Sequence, residues 1–393
     1  MGDNQMMTEP SFGDIPLFRE IQRILAAGGE GPVNFEIARQ IALAVVAESA
    51  GETPPPLDTR PYFDTVHPAE LVVSGFTRLA PEEPARAKIV DRTEWVRLTL
   101  DGWRWLFEHM SQRFLDEMTK LSPEQAEASG PLQGAMGPIA PLLFGMQVGT
   151  LVGHLAGESL GRHDPPFPRA DDGLLFCVET NVARLAADYS FEPKPLGRWL
   201  ALQDVTRHVV LTSQPWISNY FRSLLTEVVD AIEIDVPELQ RRLMDLSSKG
   251  MEALGEGAGA QSALPVVQTG RHRGAVERWN AFVAVLEGYC NSAAEAVAGE
   301  VMGERAKVVE GMARRNTTPS EGQSMLETLL GVSMNNELRS SGRTFSAAVL
   351  QLKGIGSLNR VWEAPDNLPT WGEVKDPFAW MDRVLGDTGA DEG

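Results

Sequence analysis

Apolar residues recur at helical spacing between residues 199 and 210. Trp199, Leu202, Val205, Val209 and Val210 follow the i, i+3, i+4 pattern that places side chains on one face of a helix. Such a stripe packs against a protein core. The sequence therefore predicts a helix over residues 199–210 with one buried face.

Helical periodicity also covers most of the remaining chain. It predicts helices over 15–27, 32–50, 68–77, 92–110, 181–187 and 276–302, and two more between a loop over 312–321 and residue 352. Thr93 is the expected N-cap of the helix over 92–110. The short apolar run over 174–178, bounded by turns, is the best strand candidate. We therefore predict a mostly α fold, one large α-rich domain with a minor short β element.

Changes in composition suggest how the chain is organised. We expect an N-terminal helical lobe over 1–130, a central segment over 131–246, a flexible linker over 247–270, a C-terminal helical lobe over 271–385 and an acidic tail over 386–393. The linker expectation rests on the many glycines and weak hydrophobic pattern of that segment.

Glycine recurs at every fourth position at 145, 149, 153, 157 and 161. On a helix these glycines form one smooth strip, which costs about 1 kcal/mol per residue relative to alanine. Close packing of a second helix along the strip would offset that cost. We predict that the strip is buried against the helix over 199–210 or its neighbour.

The segment over 131–157 contains no Asp, Glu, Lys or Arg and is long enough to cross a bilayer. Its prolines, glutamines and glycines make its apolarity modest, and a buried central helix accounts for the same pattern. We expect no membrane span.

Overall charge and cysteine content narrow the class of protein. The chain has 393 residues, 43% of them hydrophobic, and a formal net charge of -19. This charge opposes general nucleic-acid binding, which needs clustered Lys and Arg. Cys177 and Cys290 lie in apolar surroundings and are expected to be buried free thiols. With no basic and apolar leader in the first residues, we expect a cytoplasmic protein.

Gln203, Asp204 and Arg207 lie close together on the helix over 199–210, because their spacing is i, i+1 and i+4. The zinc-peptidase motif H-E-x-x-H uses the same spacing, with two histidines as metal ligands and the glutamate as general base. Here Gln203 and Arg207 stand at the histidine positions and Asp204 at the glutamate. An amide is a poor zinc ligand and a guanidinium carries the wrong charge.

The order of several short motifs along the chain resembles the zincin-like metallopeptidase type 2 family. The motifs are residues 12–16 (FGDIP), 31–34 (GPVN), 94–96 (EWV), 144–149 (FGMQVG), 287–289 (EGY), 358–362 (LNRVW) and 367–369 (NLP), with Pro215-Trp216 after the central helix. The resemblance implies a zincin-like fold, a strand near the active helix that would make 174–178 an edge strand, and zinc-dependent hydrolysis of peptides.

The resemblance also implies a second active-site segment after residue 286. In the family a Glu-Gly pair there is followed by an acidic residue and a histidine. Glu287 matches this pattern, whereas Asn291 and Ser292 do not. The degenerate site is thus Gln203, Asp204, Arg207, Glu287 and Ser292. We predict that Arg207 bridges to Glu287 in place of a metal, with Asp204 as a second partner.

Two functional hypotheses remain open from the sequence. In the first, the chain is a catalytically inactive homologue that acts as a binding, scaffold or regulatory protein. It then needs no cofactor and binds a protein or peptide partner, which could be an active relative. In the second, it is a metal-dependent hydrolase with a non-standard ligand set, in which Asp204, His208 and Glu287 hold zinc. The isolated His67, His109, His154, His163 and His272 show no ligand spacing and are expected to be structural.

Overall fold

Helices make up most of the protein, in agreement with the sequence pattern. The computed structural model describes residues 31–49, 54–119, 131–169, 173–234, 266–267, 269–302 and 305–386. The helices within these ranges are α1 (Phe35–Glu48), α2 (Arg60–Thr77), α3 (Arg92–Gly102), α4 (Arg104–Thr119), α5 (Pro131–Glu158), α6 (Glu179–Tyr189), α7 (Pro193–Thr212), α8 (Pro215–Asp230), α9 (Gly270–Val301), α10 (Ala306–Arg315), α11 (Glu321–Leu330), α12 (Asn336–Asn359), α13 (Trp371–Lys375) and α14 (Pro377–Leu385). The strands are β1 (Ala87–Val90), β2 (Leu175–Val178), β3 (Glu233–Ile234) and β4 (Val266–Val267).

The glycine strip lies on α5 and packs against α1. A Cβ atom added to Gly153 would lie 2.6 Å from Val45 Cβ, and one added to Gly149 would lie 2.5 Å from the Ala38 carbonyl oxygen. The prediction of a close helix contact is confirmed, but its partner is α1 and not α7. Gly157 has open space beside it, and the strip ends before Gly161, which follows the helix.

The helix that carries the H-E-x-x-H-like residues, α7, packs between α2 and α9. Its apolar stripe is buried as predicted, and the burial extends around most of the helix. Gly197 allows the close approach of α2, since an added Cβ would lie 2.9 Å from the Tyr62 backbone nitrogen. This contact places the side chain of Tyr62 beside α7.

A second close crossing joins α9 to α12. Gly288 and Gly342 face each other so closely that an added Cβ on either would collide with backbone atoms of the other helix. Glu287 and Arg343 are the neighbours of these glycines in sequence. Glu287 and Arg343 therefore both lie beside the point where α9 and α12 cross.

Strand β2 lies at the centre of a small β element. It pairs in parallel with β1, and its Cys177 forms a bridge with Gly161 on the opposite edge. The predicted strand is confirmed as one of the two strands of this sheet, and the bridge to Gly161 covers its other edge. The bridge aligns residues 160–162 along β2, because the Val178 backbone nitrogen donates to the Leu160 carbonyl oxygen at 2.8 Å. The segment that follows Gly161 is thereby brought to α7.

Side chains from three elements close the C-terminal end of α5. Asn181 Nδ2 donates to the carbonyl oxygens of Ala156 and Ser159. Arg92 donates to the carbonyl oxygen of Gly157 at 3.3 Å, and Arg315 donates to that of Glu158 at 3.0 Å. Cations at a helix C-terminus are favoured by the helix dipole. These contacts fix the end of α5 near α6 and α10.

Several predicted helix boundaries differ from those observed. The helix expected over 92–110 is two helices separated at Trp103, whose ring packs edge-on against Trp95 in the core. Its N-cap is Asp91, not Thr93, because the Asp91 carboxylate accepts from the Glu94 backbone nitrogen. The expected loop over 312–321 begins only after α10, and the helix expected from residue 68 already begins at residue 60. The expected helix over 15–27, most of the linker over 247–270 and residues 387–393 of the acidic tail lie outside the described residues.

The buried core contains the aromatic residues that the sequence places on apolar helix faces. The fully buried tryptophans are Trp95, Trp103, Trp279, Trp362 and Trp380. Cys177 and Cys290 are buried free thiols, as predicted. Of the helices in the described ranges, none combines the length and apolarity needed to span a bilayer.

Candidate functional site

The side chains singled out on α7 meet those of α9 at a buried helix contact. Gln203, Asp204 and Arg207 project from α7, and Glu287 projects from α9. The exposed fractions of Gln203 and Glu287 are 9% and 8%. Polar groups buried to this degree are costly unless they are paired, so their partners show how the site is stabilised.

Arg207 and Glu287 form a bidentate ion pair, as predicted. Arg207 Nη2 lies 2.8 Å from Glu287 Oε1 and 2.7 Å from Oε2, and Arg207 Nε lies 3.0 Å from Oε1. Burial acts to lower the pKa of Arg207, but the Glu287 carboxylate outweighs it and holds that pKa above its ordinary value. The guanidinium therefore carries a permanent positive charge next to the α9 carboxylate.

Asp204 has a partner that the sequence did not indicate. Tyr62 on α2 donates its hydroxyl to Asp204 Oδ2 at 2.8 Å, so the expected second bond from Arg207 is replaced by one from another helix. Burial raises the pKa of Asp204 to about 6, although Tyr62 and Arg207 both act to lower it. Burial and the nearby Asp204 charge raise the pKa of Tyr62 well above its ordinary value.

A cavity of about 670 Å³ opens beside these residues. Its walls come from the end of α5, the segment after Gly161, and from α6, α7, α9, α10, α11 and α12. Gln203, Asp204, Arg207 and Glu287 all line it. This volume is in the range of pockets that bind small molecules or a short piece of polypeptide.

Three polar side chains of the cavity wall have a buried atom without a partner among the described residues. These atoms are Gln203 Nε2, His163 Nε2 and Glu158 Oε2. Burial and the nearby Arg162 and Arg207 charges hold the pKa of His163 well below its ordinary value, so its ring is neutral near pH 7. The wall thus presents neutral hydrogen-bonding groups beside a closed ion pair.

A sequence profile of the zincin-like metallopeptidase family matches residues 33–381. The chain belongs to this family. Among solved structures, the fold is similar to that of a "putative hydrolase with a novel fold" from Chloroflexus aurantiacus, with a TM-score of 0.63 and 23% sequence identity. The similarity covers 92% of this chain and 100% of that one, and at this identity it shows a shared fold. None of the curated proteins matches the chain significantly.

The residues at the zincin-like metal position do not fit a zinc ion. Zinc requires thiolate, imidazole or carboxylate ligands in a tetrahedral set. Among the described residues, no three His, Cys, Asp or Glu side chains converge in a way that could hold a metal. Arg207 places a guanidinium on the Glu287 carboxylate. The donor set thus favours a cationic side chain over a cation.

The alternative zinc ligands Asp204, His208 and Glu287 have separate partners. His208 Nε2 lies 3.0 Å from the Glu83 carbonyl oxygen, whereas Asp204 is bound by Tyr62 and Glu287 by Arg207. His208 is also absent from the residues that line the cavity, and Ser292 lies on α9 without lining it. Of the unmatched positions on α9, Asn291 does line the cavity.

Three of the isolated histidines, His109, His154 and His272, have structural partners. His109 Nε2 lies 2.9 Å from Asp230 Oδ1, and His154 Nδ1 lies 3.4 Å from Glu321 Oε2. His272 is buried, with its Nε2 3.3 Å from the Leu330 carbonyl oxygen. His163 is different, because it lines the cavity, and no local spacing in the sequence could have singled it out.

Proposed function

We propose that this zincin-like family member has lost zinc-peptidase chemistry and acts as a binding protein, with its ligand in the cavity beside α7 and α9. The observation that carries the proposal is the bidentate contact between Arg207 and Glu287. A guanidinium at a former histidine position cannot bind a metal, and it occupies the carboxylate that would serve as a third ligand.

The family and the cavity support a polypeptide as the bound partner. The cavity wall carries charged side chains of both signs outside the Arg207–Glu287 pair, among them Arg184, Arg343, Asp188 and Glu295. A segment of a protein or peptide brings backbone amides and charges of both signs to such a wall. A scaffold or regulatory role, for instance on an active relative, is a form of the same binding function.

Peptide turnover and peptide binding together test this proposal. A casein digest is incubated with the purified protein, separated by gel filtration and identified by mass spectrometry. We expect some peptides to co-elute with the protein and to be recovered uncut. Cleavage that a chelator abolishes would contradict the proposal and favour a hydrolase with a non-standard ligand set.

A further inference from the structure

Gln203 differs from Asn181, the other buried amide of the cavity wall, because its Nε2 has no hydrogen-bond partner among the described residues. Asn181, also on the wall, uses its oxygen to accept from Arg92 and its nitrogen to donate to two carbonyl groups. Gln323 donates to Glu327 Oε1 at 2.7 Å. Gln203 Nε2, in contrast, is buried without a partner among the described residues. An unpaired buried amide is unfavourable, and a ligand that pairs with it offsets that cost.

The wall of the same cavity carries an unpaired imidazole nitrogen on His163 as well as the unpaired amide of Gln203. Gln203 lies one helical turn before Arg207, and the Arg207 charge helps to lower the pKa of His163. Rotation of the Gln203 amide about its last bond exchanges its donor and acceptor positions. Together the two side chains offer both donors and acceptors to a ligand.

The charges around these two residues disfavour a charged ligand group. A cationic group would be repelled by Arg162, Arg169 and Arg207, which all disfavour protonation of His163. An anionic group would be attracted by these arginines, but it would also meet the carboxylates of Asp204 and Glu287 and the unpaired carboxylate oxygen of Glu158 on the same wall. A neutral polar group avoids both repulsions.

We propose that Gln203 and His163 form a subsite for an uncharged carboxamide group of the ligand. This carboxamide subsite rests on the proposed binding function and specifies one chemical group that the ligand carries. An amide matches Gln203 best because it presents a donor and an acceptor side by side, so two N–H···O bonds can form with the Gln203 amide. The group could belong to a primary carboxamide or to a peptide bond.

Three probes of nearly equal shape test the charge preference of the subsite. Benzamide, benzoate and benzamidine differ mainly in the charge of one small group. Their affinities for the full-length protein are measured by ligand-observed NMR titration at neutral pH and constant ionic strength. Ligands of this size reach Kd values on the order of 1 mM. We expect benzamide to bind at least about tenfold more tightly than either charged probe.

Substitutions test whether Gln203 and His163 are responsible for benzamide binding. Gln203→Leu and His163→Phe should each weaken benzamide binding by about tenfold, since each removes hydrogen-bonding groups with little change of volume. Gln323→Leu is the matched control, because that amide lines the same cavity but already has a partner. It should leave benzamide binding unchanged. Unfolding temperatures verify that each variant is folded, and Gln203→Met replaces Gln203→Leu if needed.

A secondary amide identifies the source of the group. If N-methylbenzamide binds as tightly as benzamide, the subsite is supported and its natural group is a peptide bond. If N-methylbenzamide binds much more weakly than benzamide, the subsite is supported and its natural group is a primary carboxamide. The inference is overturned if benzoate or benzamidine binds more tightly, if benzamide does not bind, or if its binding survives both Gln203→Leu and His163→Phe. If the protein binds uncut peptides but does not prefer benzamide over the charged probes, the subsite is overturned and the proposed binding function stands. Benzamide binding without peptide binding would overturn only the polypeptide partner.

Discussion

Arg207 and Glu287 decide what the site can do at the scale of single residues. Their side chains are only 12% and 11% exposed, so either charge alone would be buried without compensation. Arg207→Ala should lower the free energy of unfolding by about 3 to 5 kcal/mol. The double variant Arg207→Ala, Glu287→Gln should lose less than the single variant. Urea denaturation measures both.

The exposed pair of Arg278 and Glu227 provides a control for this prediction. It has the same 2.7 Å separation, but its side chains are 54% and 47% exposed. Its removal should cost less than about 1 kcal/mol. Simple additivity of the Arg207 and Glu287 substitutions would show that the buried pair does not act as a unit.

Asp204 should make stability depend on pH in the opposite sense to a salt-bridged carboxylate. Burial raises its pKa from 3.8 to about 6, so the folded protein binds more protons than the unfolded chain between these values. The free energy of unfolding therefore falls as pH rises through this window, by about 3 kcal/mol in total.

The substitution Asp204→Asn isolates this contribution from that of other carboxylates. The amide oxygen can still accept from Tyr62 but does not titrate. We expect the stability of wild type relative to Asp204→Asn to decline as pH rises through the window, in urea titrations at successive pH values. A constant difference would mean that Asp204 is not buried as described.

Some of these residue contacts could be predicted from sequence and others could not. The spacing on α7, together with the family resemblance, placed Arg207 beside Glu287, because Arg207 aligns with a histidine position of one motif and Glu287 matches the other. Tyr62 is 142 positions from Asp204, and no motif connects them. His163 reaches the cavity only because residues 160–162 align with β2, a pairing without local sequence signal.

At the scale of elements, the contact of α5 with α1 should be intolerant of larger side chains. Gly153→Leu should cost at least about 3 kcal/mol or prevent folding, because its Cβ would already lie too close to Val45. Gly157→Ala is the control, since nothing lies within 4 Å of that position. It should raise stability by up to about 1 kcal/mol. Near-normal thermal unfolding of Gly153→Leu would contradict the contact.

The glycine strip also shows what periodicity leaves undetermined. Five glycines at every fourth position predicted a close helix contact, and three of them make it. The pattern identifies the glycine face of α5, but it does not say which other helix packs against that face. The partner is α1, whose Ala38 and Ala42 are fully buried. The small residues on α1 were the sequence feature that could have identified it as the partner of the glycine strip.

At the scale of the whole molecule, the chain belongs to the zincin-like family, while Gln203 and Arg207 stand at the predicted positions of the H-E-x-x-H histidines. If α7 and α9 still hold their family geometry, Gln203→His, Asp204→Glu and Arg207→His together should create a zinc site with Glu287 as third protein ligand. Zinc affinity measured by competition with a chelating dye should rise at least about tenfold over wild type.

A fourth substitution tests whether the new zinc site uses the predicted ligands. The triple variant that also carries Glu287→Gln should bind zinc more weakly than the triple variant alone, because an amide replaces a carboxylate ligand. If the triple variant binds no more zinc than wild type, the correspondence of α7 with the zincin helix would be contradicted.

The metal content of the wild-type protein tests the central claim most directly. The protein is purified without chelator, incubated with zinc, desalted and measured by inductively coupled plasma mass spectrometry. With Arg207 bound to Glu287 where the sequence predicts the metal, we expect zinc well below one ion per chain. One tightly held zinc ion, or another transition metal, per chain would contradict the account.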